Sequence, residues 1–175
     1  MWCEEPAPDN SNVETGSASD LQAFVELLEE AGAALWARGV HQWPPGLGKH
    51  QLPQLTQQVE AGRLLLVRRR GSLAGGCIVT SLAPGLWPDR PSDAAYLQKL
   101  VIAPSASGVR LGEQIAREAE RWSLSRGFTR IRLDCWDLNP RLRRYYRDLG
   151  YRELESVMSG TYQARLFEKS FPTAD

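Results

Sequence analysis

Residues 101–120 read VIAPSASGVRLGEQIAREAE. An apolar run ends at Ala103, a proline and small residues follow, and a helical pattern opens near Gly108. Such a junction suits an anion. The first turn of a helix leaves backbone N–H groups unpaired and carries the positive end of the helix dipole, and glycine lets a phosphate come close to the backbone. Gly108 and Gly112 are the glycines on offer, and the same pattern also serves as an ordinary helix entry without a ligand. Two well-known phosphate signatures, G-x-x-x-x-G-K-[ST] and G-x-G-x-x-G after a strand, are missing. Downstream, Arg141, Arg143, Arg144, Arg147 and Arg152 stand against one acid, Asp148. That cluster reads either as a patch for an anionic ligand or as a solvated helix face. Nucleophilic and metal chemistry find little support. Cys3, Cys77 and Cys135 lie far apart, His41 and His50 are the only histidines, and there is no G-x-S-x-G elbow, so no metal site is expected.

The bulk numbers bound the rest. The 175 residues are enough for one domain with a real core. Hydrophobic residues make up 42% and charged residues 24%, which is ordinary globular composition. Lys plus Arg and Asp plus Glu are each 21, which argues against a general nucleic-acid binder. The first residues lack the basic and apolar regions of a signal peptide, and no apolar run approaches a membrane span. The expectation is a soluble cytoplasmic protein that takes neither nucleic acid nor membrane as a partner.

The elements that would position the turn can be read from periodicity. Residues 1–18, rich in Pro, Ser, Asn and acid, are expected to be a flexible tail, with 19–175 forming a single domain. Leu21, Phe24, Leu27, Leu28, Ala31 and Leu35 recur at helical spacing up to a stop at Gly39. HQWPPGLGKH is irregular, and QLPQLTQQVEAGR makes a second short helix. RLLLVRRR, GGCIVTSL and YLQKLVIA read as strands, the first two antiparallel. Gly108 to Arg126 is an amphipathic helix with Leu111, Ile115, Ala119 and Trp122 on one face, ended by Gly127. TRIRLDCW is a strand. NPRLRRYYRDLG is a short helix with Asn139 as its cap, Pro140 at its first position and Gly150 as its stop. YRELESVMSG and YQARLFEKS close the chain as strands around a turn at Ser159 and Gly160. The order α-α-β-β-β-α-β-α-β-β is that of a mixed α/β layer protein.

The run from Tyr96 to Tyr151 resembles the core of the GCN5-related N-acetyltransferase (GNAT) family. In that family an apolar strand end leads into a Gln/Arg-x-x-Gly-x-Gly/Ala loop that opens a helix. A further strand, an Asn and a Tyr-x-x-x-Gly-Phe segment follow. Here LVIAPS supplies the strand end, and Ser107-Gly108-Val109-Arg110-Leu111-Gly112 occupies the loop. LDCWDLN supplies the next strand with Asn139, and YYRDLGY supplies Tyr146, Gly150 and Tyr151. Ser107 stands for the family's Gln or Arg and Arg110 for its first glycine; Gly112 matches. The resemblance covers the chain from about Asp20 to the C-terminus. It implies an α/β (α+β mixed) fold with a central mixed, mostly antiparallel sheet flanked by helices.

The resemblance further implies an acetyl-CoA-dependent N-acetyltransferase that transfers acetyl directly to the amine of a small molecule or peptide, with acetyl-CoA as cosubstrate and no metal. The alternative is a non-catalytic acyl-CoA-binding sensor or structural domain on the same fold. Homodimer formation stays open. The backbone of Leu100, Val101 and Ile102 would pair with pantetheine, and the amides from Ser107, Gly108, Val109, Arg110, Leu111 and Gly112 to Glu113 would hold the pyrophosphate. Asn139 would bond the cofactor near its cysteamine end, as well as or instead of capping its helix. Tyr146 would protonate the departing thiolate, with Tyr145 the better candidate for packing. Trp43 and His41 in the HQWPPGLG loop, and Trp87 in LAPGLWPDRP, would face the acceptor, with packing under a proline-rich loop the other reading of both tryptophans. The base is left unassigned among Asp134, Asp137, Glu153 and His41.

Overall fold

A sheet in the order β1-β2-β3-β4-β5-β7-β6 organises the chain. A computed structural model describes residues 12–108 and 110–172. The strands are β1 (Val13–Thr15), β2 (Leu64–Arg69), β3 (Ser72–Thr80), β4 (Ala94–Ile102), β5 (Arg130–Trp136), β6 (Arg152–Ser159) and β7 (Tyr162–Ser170). The helices are α1 (Leu21–Trp36), α2 (Leu47–His50), α3 (Leu52–Glu60), α4 (Leu111–Ser125) and α5 (Pro140–Asp148). Neighbouring strands run antiparallel except β4 and β5, which are parallel and joined by α4. The mixed, mostly antiparallel sheet flanked by helices is therefore present.

The expected order of elements holds, with two additions. Val13–Thr15, inside the stretch read as tail, pairs antiparallel with β2. Polar composition hid this strand, but its Glu14 meets Arg68 at 2.9 Å and Gly16 N–H donates to Leu64 O at 2.8 Å. The rest of that tail, residues 1–11 with Cys3, lies outside the described residues. The second addition is α2, a single turn whose N-terminal amides are held by a side chain from α1. The Glu29 carboxylate accepts from the N–H groups of Gly46, Gly48 and Lys49 at 2.9, 2.8 and 3.2 Å.

Helices cover both faces of the sheet. Gly75 and Gly76 in β3 are adjacent and so face opposite ways. A Cβ on Gly75 would meet Ile115 of α4 at 3.0 Å, and one on Gly76 would meet Phe24 of α1 at 3.1 Å. The missing side chains let both helices seat closely. The core they close includes Phe24, Leu28, Leu64, Leu66, Val67, Ile115, Ile131 and Phe167, each at most 2% exposed. Burying each is worth about 1.5–3 kcal/mol. Cys77 and Cys135 are buried in it as free thiols, as expected of small apolar residues.

Two irregularities in β4 open the middle of the sheet. Its pairing with β3 slips between Gly76 and Ile78, so β4 carries an extra residue. Lys99 sits in that bulge at φ 53°, a conformation lysine rarely adopts. On its other side β4 pairs with β5 only through Ala94–Arg130, Ala95–Ile131 and Tyr96–Arg132. Beyond these pairs the strands part.

Candidate active site

The parted edges of β4 and β5 enclose a gap in the middle of the sheet. Exposure follows it: Ala94 to Leu97 are buried, while Gln98, Lys99 and Leu100 are only half-buried although they lie in a central strand. Across the gap Asp134 and Trp136, two residues apart on one face of β5, are likewise half-buried. The closed end is fixed by a buried ionic cluster. Arg132, 1% exposed, donates to Glu168 at 2.9 Å, to the Tyr96 hydroxyl at 3.1 Å and to Pro91 O at 3.0 Å.

Asp134 lies deep between these walls yet keeps contact with solvent. Its carboxyl is pushed up to about 6 by burial, and the Lys99 ammonium opposes the rise. Burial lowers Lys99 below the ordinary lysine range, with Asp134 as its opposing partner. Two further hydroxyls share this environment. Tyr146, on α5, is 6% exposed and packs against Tyr145, Tyr151 and Phe167 at ring separations of 5.4, 6.0 and 5.6 Å. Burial first, then the neighbouring Cys135, Tyr145 and Asp134, hold its phenol well above the usual value, so it stays protonated. Tyr162 is raised by burial and by Asp134. Gln42 ties the α1–α2 loop to this end of the gap: its amide donates to the Tyr162 hydroxyl at 3.1 Å and its carbonyl accepts from Trp136 N–H at 2.8 Å.

The other three acids and bases weighed from sequence are otherwise engaged. Asp137 accepts from Arg165 at 2.7 Å, and that contact holds its carboxyl low. Glu153 is paired with Arg143 and, at 2.8 Å, with Arg147. His41 is stacked between the rings of Trp36 and Trp136, with centroids 4.3 and 5.7 Å away. Much of the basic cluster on and after α5 is thus neutralised: Arg144 faces Asp148 and Arg152 faces Glu168.

The turn at the open end of β4 leads into α4 as expected. Gly108 has φ 90°, and Arg110, the cap residue of α4, has φ 59° and makes no side-chain cap bond. Arg110 thus holds a backbone conformation suited to glycine. Its guanidinium is 85% exposed and pairs with Glu113 at 3.0 Å. Val109 lies outside the described residues. Gly112 has a steric reason to lack a side chain: a Cβ there would stand 2.6 Å from the Tyr145 hydroxyl. Tyr145, half-buried, therefore overlies the first turn of α4. With Arg110, Glu113, Asp148 and Leu149 it lines a shallow cavity of about 280 Å³. Burial and Glu113 push its phenol up to about 12.

Of the residues singled out from sequence, the structure gathers Leu100, Ile102, Ser107, Gly108, Arg110, Leu111, Gly112 and Glu113 along the β4 edge and the α4 entry. Val101 is 2% exposed, so only its backbone can meet a ligand. Asn139 caps α5, its Oδ1 accepting from Leu142 N–H at 3.0 Å, which leaves its amide to donate. Trp43 packs on the core, and its carbonyl accepts from the Trp36 indole. Trp87 is 7% exposed and packs in a cluster with Tyr96 and Leu166, beside the paired end of β4. Lys99, Gln42, Tyr162 and the Tyr145 hydroxyl were not foreseen. The one usable signal was a lysine set inside the apolar run YLQKLVIA. Among the described residues no group of His, Cys, Asp and Glu could hold a metal ion, and no helix is long and apolar enough to cross a membrane.

A family model described as "Acetyltransferase (GNAT) family" matches residues 25–151. The chain belongs to the acetyltransferase (GNAT) family. Members of this family are acyltransferases, and the match spans the gap, the α4 entry and α5. A relative in Bacillus subtilis (strain 168), "Uncharacterized N-acetyltransferase YesJ", is 28% identical over 86% of this chain and 84% of its own length. A 29% identical match spans 72% of this chain but 20% of the rice protein "4-alpha-glucanotransferase DPE1, chloroplastic/amyloplastic", and nothing of that protein's activity is carried over. Among solved structures, a GNAT-family acetyltransferase from Listeria monocytogenes superposes with TM-score 0.77 at 24% identity, covering 92% of this chain and 95% of that one. The PaiA N-acetyltransferase of Thermoplasma acidophilum, in complex with coenzyme A, gives TM-score 0.72 at 17% identity over 93% and 99%. These likenesses are of fold.

Proposed function

We propose that the chain is an acetyl-CoA-dependent N-acetyltransferase that transfers acetyl directly to the amine of a small molecule or peptide. The observation that carries this is the parting of β4 from β5 beyond Tyr96–Arg132, with the α4 entry following the end of β4 and the raised Asp134 carboxyl on the facing stretch of β5. The coenzyme A in the PaiA structure of similar fold supports the choice of donor.

In this reading the turn amides from Ser107 to Glu113 and the α4 dipole hold the pyrophosphate. The free edge of β4 offers Leu100–Ile102 to pantetheine as a strand would. Arg110, drawn to Glu113, contributes its amide more than its charge. Asp134 takes the proton of the incoming amine. A carboxyl near 6 does this better than one at the usual 3.8, since its basicity lies closer to working pH. Tyr146 donates to the sulfur as the carbon–sulfur bond breaks. His41 and Trp136 form the aromatic side of the acceptor's approach, held in place by Gln42.

Release of free thiol from acetyl-CoA, measured against an amine panel, tests the reading. Turnover with at least one amine is expected, reduced about 10²–10⁴-fold in Tyr146→Phe, which keeps the ring and its packing. Binding of coenzyme A with no thiol release on any amine would instead favour the sensor reading. Full turnover in Tyr146→Phe would remove that residue from the chemistry.

A further inference from the structure

We propose that Lys99 is a self-acetylation site: when no acceptor amine is present, its side-chain nitrogen takes the acetyl group and the modified chain turns itself off. This rests on the acetyltransferase reading above, and it concerns an amine that the transfer reaction itself does not use.

The first observation is composition. The chain carries eighteen arginines and three lysines, Lys49, Lys99 and Lys169. Lys49 is exposed on α2. Lys169 is fully engaged, donating to both oxygens of Glu120 at 2.9 Å and to Leu149 O at 3.1 Å. Where this chain needs a fixed cation it uses arginine almost throughout. A guanidinium keeps its charge under all ordinary conditions, whereas an amine can lose a proton and become a nucleophile.

The second observation is place. Lys99 occupies the β-bulge of β4, at the stretch where β4 has left β5 and the gap opens. It stays in the left-handed backbone region at φ 53°, a conformation disfavoured in a non-glycine residue. Glycine or asparagine would hold the same bulge more cheaply. What lysine adds there is a half-buried amine at the stretch where β4 has left β5, near enough to Asp134 for the two charges to interact. Burial disfavours the ammonium form and Asp134 can receive its proton, so amine and base stand together before any acceptor arrives. An attached amine also needs no encounter, which is the advantage of any intramolecular reaction.

The step balances without a further reagent. The Nζ lone pair attacks the thioester carbonyl, the new N–C bond forms and the C–S bond breaks. The amine proton passes to the Asp134 carboxylate and the thiolate takes a proton from Tyr146 or water. The product is a neutral amide lodged in the gap, with no route back to the thiol. It removes the cation that opposes the rise of the Asp134 carboxyl and narrows the path of the acceptor.

The full chain is incubated with acetyl-CoA and no amine, sampled over time for intact mass, peptide mass mapping, and thiol release on later addition of an accepted amine. One acetyl per chain is expected, mapping to Lys99 and rising as later thiol release decays. Excess accepted amine present from the start should slow the modification. The Lys99→Arg variant, whatever its starting rate, should not decay. An unmodified Lys99 in a preparation that turns over amines would overturn the inference and leave the acetyltransferase reading standing. So would acetyl spread equally over Lys49 and Lys169, since that marks surface chemistry. A chain that neither binds coenzyme A nor releases thiol would overturn both.

Discussion

Burial of Asp134 costs the fold stability, which its proposed role as base would use. The carboxyl is held near 6 in the folded chain against 3.8 when unfolded. Between those values the native state keeps a proton that the unfolded chain has lost. The stability tied to the protonated form is therefore complete below about pH 4 and is lost as pH rises through about 6. Asp134→Asn should raise stability by up to about 3 kcal/mol at pH 8 and by roughly half that at pH 5, with the loss of the Lys99 partner reducing both gains. Urea unfolding at the two pH values measures this; an equal gain at both, or none, would contradict the burial argument. The sequence put Asp134 among four equal candidates. It could not separate them because pairing is settled only by the fold: Arg165 reaches Asp137 across 28 residues, and even the nearer Arg143 and Arg147 meet Glu153 only once α5 packs beside β6. Tyr146 and Tyr145 show the same limit. Both were legible as a pair, but not that the phenol assigned to chemistry is the more buried one, or that the one assigned to packing presents its hydroxyl to α4.

The entry of α4 is an arrangement of three elements rather than a property of a glycine-rich string. The β4 end delivers the turn, α4 opens with Arg110 in a glycine conformation, and α5 lays Tyr145 over the first turn. Gly112→Ala forces a Cβ to 2.6 Å from that hydroxyl, and such overpacking should cost about 1–3 kcal/mol. Adding Tyr145→Phe in the same chain should restore most of the loss, because the next atom of the ring stands at 3.6 Å. A double-mutant cycle by chemical unfolding reads the coupling; independent effects would show that α5 does not press on α4 as described. At this scale the sequence was most informative. Alternation and helical spacing gave the long strands and α1, α4 and α5 in order. It was silent on β1 and α2, which are three and four residues long and owe their form to Arg68 and Glu29 on other elements. The β4 bulge had no signature either, since lysine is not a residue that announces a positive φ.

For the whole molecule, formal charge is balanced and ligand binding at the gap should be visible as stability. With coenzyme A at ~100-fold excess over its dissociation constant, linkage gives roughly 2.7 kcal/mol and a matching upward shift of the melting temperature. An unshifted melt at millimolar-scale coenzyme A, with no heat of binding, would remove the donor from the reading. The proposed acceptor side was the least legible part because its contacts cross distance: Gln42 reaches Trp136 from 94 residues away. One feature of the sheet also sets a length. From Leu97 to Ile102 the edge of β4 runs free of β5 for six residues, roughly 20 Å of strand. At its foot Tyr96 and Arg132 close the two strands like the stop of a zip, clamped by Glu168. In the proposed reaction an arm entering from the α4 end would bottom out on that stop, so the clamp, two residues before Asp134 on β5, would be the depth gauge that sets which atom of the arm comes level with that carboxyl.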